Sequence, residues 1–165
     1  INDLIQNDEL YHDIAKLIYE NNDVYFIGRL IDYALSLEGS LKLKEISYIH
    51  SEAYQAGELK HGTISLIEEG TPVFGLITDD IITDKTISNL KEVVARGANI
   101  IAIVKENLEN KVDFANKKVL IPETHELLQP IVSIIPLQLI SYEVAKLRGC
   151  DIDKPKNLAK SVTVE

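Results

Sequence analysis

Glu38, Lys42 and Glu45 are spaced i, i+4 and i+7 within ALSLEGSLKLKEIS, residues 34–47, so on a helix they share one face. A carboxylate held beside an ammonium on such a face can take up and return a proton when water is kept away. The Leu and Ile residues around them suggest a helix buried on most sides, and charges on a buried helix must pair or face a polar cleft. Spacing alone leaves a second reading open, a solvated Glu38–Lys42 pair contributing about 0.3–0.5 kcal/mol. His61, in the run GELKHG, can act as acid or base near neutral pH; as a lone loop histidine it also reads as simply solvated. The closing residues NLAKSVTVE are less charged and more apolar than Asp151–Lys156 just before them. A lysine docked there, out of bulk water, can lose its proton and attack a carbonyl to form a Schiff base. The plainer reading of that stretch is a frayed, charged terminus.

Other chemistries are disfavoured. His12, His50 and His125 have no companions at metal-ligand spacing, so no zinc site is expected. FIGR, residues 26–29, precedes a helix, but neither G-x-G-x-x-G nor a P-loop follows, and no nucleotide or other cofactor is expected. Lys and Arg number 17 against 26 Asp and Glu, a formal charge of 17 − 26 = −9. A chain this acidic repels phosphate backbones, which argues against nucleic acid or an anionic membrane as partner. A small phosphorylated ligand stays allowed, because a few backbone N–H groups and one lysine bind a phosphate locally. Cys150 is the only cysteine, so no intrachain disulfide can form and a cytoplasmic setting is expected. The most apolar run, PIVSIIPLQLI from Pro130, is short for a bilayer and contains Pro136 and Gln138. Ile1 stands where an initiator Met would, with no signal-like segment behind it; a piece of a longer polypeptide is expected.

These residues need elements to position them, and the apolar pattern supplies two alternating periods. Helical spacing is expected over residues 4–19, 32–47, 81–96 and 127–148, with Gly97 and Gly149 as C-terminal stops. A short helix is expected over 64–69. Strands are expected at 24–28, 50–55, 73–78, 99–104 and 118–122. Strands alternating with helices make a parallel sheet covered on both faces, a three-layer α/β/α sandwich of the doubly wound, flavodoxin-like kind. Length and the lack of a linker give one domain over 1–165. Ligands of such sheets bind beyond the carboxyl ends of the strands, here the loops after Gly28, Gln55, Thr78 and Val104.

FIGR, then ALSLEGSLKLKEISYIHSEAYQAGELKHG, then PKNLAKSVTVE together resemble the sugar isomerase (SIS) domain of the glutamine–fructose-6-phosphate aminotransferases, from about residue 24 to 165. The resemblance implies a C-terminal SIS subdomain of an enzyme that makes glucosamine 6-phosphate from fructose 6-phosphate and glutamine-derived ammonia. It implies that Lys160 forms the Schiff base, Glu45 moves a proton between C1 and C2, Lys42 assists, and His61 opens the sugar ring from the partner subunit. Ala159 and Glu38 are implied to lie against the sugar. Implied partners are a glutaminase domain, a first SIS subdomain carrying the phosphate loop, and a second copy in a homodimer. The isolated chain is accordingly expected to be inactive. A sugar-phosphate-sensing SIS module is the alternative. Two departures stand out: Leu30 where the family often has Gly, and Lys156 where it often has Arg, a loss of a planar fork of donors.

Overall fold

Continuous apolar sequence suits a strand covered on both faces, and the three most apolar runs occupy the middle of a sheet. The computed structural model describes residues 1–158. In chain order the helices α1 (Asn2–Ile5) and α2 (Asp8–Lys16) lead into β1 (Asp23–Gly28), α3 (Ile31–Ser47), β2 (His50–Gln55) and β3 (Pro72–Ile77). Then follow α4 (Thr83–Val94), β4 (Asn99–Lys105), β5 (Lys117–Ile121) and α5 (Gln129–Leu147). Short 3-10 turns at Leu59–His61, Thr63–Leu66 and Glu106–Lys111 fill the connections. The sheet order is β2-β1-β3-β4-β5 with every pair parallel. The chain therefore runs outward from β1 to β2 and returns to the other side of β1 for β3, a topological switch between β1 and β3.

Alternate residues of each strand feed two cores. On one face Phe26, Phe74, Ile101 and Ile103 pack with Tyr11 and Ile14 of α2, Leu35 and Leu43 of α3, and Leu137 and Ile140 of α5. The rings of Phe26 and Phe74 stack with centroids 4.5 Å apart. On the other face Ile27, Val73, Ile100 and Val104 pack with Leu90 and Val93 of α4 and with Leu59 and Leu108 of the turns. The result is the expected α/β/α sandwich.

Four expectations are corrected. The first helix is broken at Gln6 and Asn7; Leu4 and Leu10 are six residues apart, which is not a helical repeat, and Tyr11 Oη donates to the Leu4 carbonyl at 2.8 Å across the break. The expected helix at 64–69 is only the turn Thr63–Leu66, after which Ile67 is extended. Burial of α3 is one-sided: Leu37 and Leu41 are exposed beside Glu38 and Lys42. The apolar run from Pro130 lies in a 19-residue helix long and apolar enough by composition to cross a membrane. Here α5 packs on α2 and α3, burying Val132, Leu137, Ile140 and Val144 in the core. Gly97 (φ +88°) and Gly149 (φ +68°) end their helices in the left-handed region, as read from the sequence.

Candidate active site

The loop from β1 into α3 sets the position of every charged group on that helix. Gly28 ends the strand, and Leu30 follows with φ 50° and ψ −118°. That backbone pair belongs to the first central position of a type II′ turn, which glycine takes without strain. Leu30, 66% exposed, holds it at a cost of about 1–3 kcal/mol. The loop thus uses a conformation that suits Gly, although Leu occupies it.

Asp32 fastens the first turn of α3 to the end of β3. Its carboxylate accepts from the Thr78 backbone N–H (2.9 Å), the Asp79 N–H (3.3 Å) and the Thr78 hydroxyl. Burial raises the Asp32 carboxyl above its ordinary range, against those hydrogen bonds, which favour the charged form. Since the unfolded value is about 3.9, the folded chain takes up the proton first as pH falls. The penalty of the buried charge is fully present above the folded value and disappears as pH drops from there to about 3.9. Asp32→Ala, which strands two backbone donors, should lower stability by about 1–3 kcal/mol in urea unfolding. Asp32→Asn keeps the acceptor and can donate to Thr78, so its loss should stay under about 1 kcal/mol. Wild type should gain on the Asn variant as the medium is acidified; the opposite trend would contradict this account.

Further along α3, Lys42 Nζ donates to Glu45 Oε2 at 2.7 Å and lies 3.7 Å from Glu38 Oε1. The three groups are partly exposed, and the hydrogen bond to Glu45 holds the Lys42 ammonium above its ordinary range. A raised lysine value means that Lys42 keeps its charge through neutral pH and loses it only as pH climbs through that value. Lys42 is therefore a fixed cation beside a carboxylate, an arrangement able to orient Glu45 for proton transfer. The spacing-based face is real, and the pairing joins Glu45 as well as Glu38.

His61 is exposed at the end of the turn Leu59–His61, with no side-chain hydrogen bond among the described residues. Its turn is pinned by Leu59 in the α4-side core, whereas α3 packs on the opposite face of the sheet. The structure thus joins Glu38, Lys42 and Glu45 and leaves His61 apart from them. Lys160 and Ala159 lie outside the described residues.

A crevice of about 490 Å³ opens at the carboxyl end of the sheet, lined by Thr78, Asp79, Asp80, Lys105, Glu123 and Gln129 among others. The loops after β3 and β5, Lys105 at the end of β4 and Ile31 at the start of α3 line it; the loop after Gln55 does not, and neither do Glu38, Lys42, Glu45 and His61. Lys105, 5% exposed, is paired with Asp80, so the remaining lining is acidic and repels a phosphate. Among the described residues no group of three His, Cys, Asp or Glu is placed to hold a metal; His12 pairs with Glu143 and His50 with Asp23. Sequence reading missed Asp32, whose partners are 46 and 47 residues away. It also missed Arg29, whose Nη2 donates to Asn89 at 2.8 Å.

A parallel sheet in this order, with helices on both faces, defines a doubly wound α/β unit. Residues 17–148 match the SIS domain, and the chain belongs to the SIS domain family. It is 55% identical over 161 residues to the glutamine–fructose-6-phosphate aminotransferase (isomerizing) of Clostridium tetani, covering 98% of this chain and 26% of that protein. Among solved structures, the C-terminal domain of glucosamine-fructose-6-phosphate aminotransferase from Francisella tularensis superposes with a TM-score of 0.88 at 40% identity, over 92% of this chain and 43% of that one. Tagatose-6-phosphate ketose/aldose isomerase from Escherichia coli shares the fold, with a TM-score of 0.70 at 15% identity over 92% of this chain and 44% of that one. The chain spans about a quarter of the length of the curated relatives it matches.

Proposed function

We propose that this unit is the C-terminal SIS subdomain, residues 1–165, of an isomerizing glutamine–fructose-6-phosphate aminotransferase, and that it supplies the acid–base helix and the imine-forming lysine. The observation that carries the reading is the Lys42–Glu45 hydrogen bond of 2.7 Å on the outer side of α3, in a chain so similar to proteins of that name.

The chemistry follows from the groups. The Lys160 amine adds to the C2 carbonyl of open-chain fructose 6-phosphate and water leaves, forming an imine. Ammonia displaces the lysine. Glu45 then removes a proton from C1 while the imine nitrogen takes one up, giving an enolamine; the C1 hydroxyl next releases its proton as Glu45 returns its own at C2, which leaves an amine at C2 and the aldehyde of glucosamine 6-phosphate at C1. Lys42, held protonated, steadies the carboxylate and the neighbouring oxygen. Glu38 and the Ala159 backbone border the sugar. His61 opens the ring. Its placement on the far side of the sheet from α3 supports service to the site of a second copy, and hence a homodimer. The acidic sheet-end crevice supports a phosphate loop contributed by a first SIS subdomain, with a glutaminase domain supplying ammonia. The enzyme so assembled works in the cytoplasm without a cofactor, and neither nucleic acid nor a membrane is a partner.

The test is borohydride reduction of the complete enzyme in the presence of fructose 6-phosphate, followed by peptide mapping. A hexitol phosphate adduct at Lys160 is expected. No adduct there would overturn the reading and leave a sugar-phosphate-sensing module in its place.

A further inference from the structure

Helix α3 ends in an unusual way. Its C-cap is Tyr48, with φ 62° and ψ 16°, a left-handed position that glycine or asparagine normally fills. A bulky residue held there stores backbone strain and persists only where its surroundings determine it. Those surroundings are a segment 108 residues away. The backbone N–H of Lys156 donates to Tyr48 Oη at 2.7 Å, and the Lys156 ammonium sits 5.2 Å from the centre of the Tyr48 ring, within cation–π range. Alongside, the Cys150 thiol lies 3.8 Å from the Ser47 carbonyl. A cavity of about 450 Å³ lies between the helix end and residues 148–156.

We propose that Tyr48 is a positioning residue that clamps the segment after α5 to the end of the acid–base helix, three residues beyond Glu45. The inference rests on the reading given above for Glu45 and Lys160. With Lys156 held at Tyr48, the Cα of Lys160, four residues on, is tethered within about 14 Å of it by chain length alone. Restricting the lysine to that volume raises its effective concentration at the site, which acts on the chemical step more than on sugar affinity. The clamp also accounts for Lys156 standing in for Arg, because its two contacts need a backbone N–H and a cation but no planar fork.

The experiment uses the complete enzyme and two variants. Tyr48→Phe keeps the ring and removes the acceptor. Lys156→Pro removes both the N–H donor and the ammonium over the ring while leaving the residues of α3 unchanged; position 156 precedes Asn157 at φ 61° in a turn closed by Leu158 N–H to the Pro155 carbonyl, a place that proline suits. Both should speed amide exchange across residues 150–158 by about tenfold with the exchange of α3 unchanged. Both should lower kcat for aminosugar formation about five- to tenfold with KM for fructose 6-phosphate within about twofold, whereas Lys156→Arg, which keeps both contacts, should match wild type. Unchanged exchange in both variants overturns the clamp, and so does a raised KM at unchanged kcat. Faster exchange with no Lys160 adduct in wild type would leave the clamp standing and sink the proposed function instead.

Discussion

Glu45→Gln in the complete enzyme should cut glucosamine 6-phosphate formation by about 10²- to 10⁴-fold, the usual worth of a positioned acid–base group. The amide matches the carboxylate in size and keeps an oxygen that can accept from Lys42, so the 2.7 Å contact survives in geometry while the group loses its ability to carry a proton. In the proposed mechanism imine formation at Lys160 comes earlier and does not use Glu45, so borohydride trapping should proceed at near wild-type yield. Exchange of the C1 hydrogen with solvent should stop. That combination separates a proton-transfer role from a general loss of binding, which would weaken trapping as well. Lys42→Met should cost less, because it removes the cation that steadies the carboxylate and leaves the carboxylate itself. A Glu45→Gln enzyme within about threefold of wild type would remove α3 from the chemistry.

How much of this was readable in the sequence depends on how local each signal is. The central strands were readable because burial on both faces writes itself as a continuous apolar run, and VYFIG, VFGLI and IIAIV are such runs. The ends of α4 and α5 were readable because Gly97 and Gly149 take positive φ there. The shared face of Glu38, Lys42 and Glu45 follows from helical geometry alone. What failed was non-local. Asp32 looks like any acidic residue in a first helical turn; its work is done on Thr78 and Asp79 at the end of another strand. Tyr48 and Lys156 meet only once the chain has built the whole sheet and α5. The separation of His61 from Glu45 depends on which core receives Leu59, and a short loop with one apolar residue does not state that. Apolar content also overstated the burial of α3: Leu37 and Leu41 satisfy the same composition whether or not anything covers them. The lysine and alanine of the closing peptide, Lys160 and Ala159, rest on resemblance alone.

Gly28→Ala should be the most damaging single methyl group in the fold. A Cβ built on Gly28 would stand 2.4 Å from both the carbonyl carbon and the carbonyl oxygen of Asp32, and 2.8 Å from the Tyr33 nitrogen. These are backbone atoms of the first turn of α3, so no rotamer change makes room. The turn itself must move. Moving it draws the Asp32 carboxylate off Thr78 and Asp79 and shifts the helix that carries Lys42 and Glu45. Overpacking typically costs about 1–3 kcal/mol, and losing hydrogen bonds to a carboxylate adds about 1.5–3, so a loss of about 2.5–6 kcal/mol is expected. At this chain length even the lower figure reduces Tm by roughly 5–10 °C. Gly75→Ala is the control. Its Cβ would meet Leu90 Cδ1 at 2.6 Å and Cδ2 at 2.8 Å, also too close, but those atoms end a side chain that can rotate, and a loss of about 1–2 kcal/mol should follow. Urea unfolding of the 165-residue chain and its two variants ranks them directly. If Gly28→Ala proved no worse than Gly75→Ala, the close approach of α3 to the end of β1 would not be what fixes the helix, and the positions of Lys42 and Glu45 would need another cause.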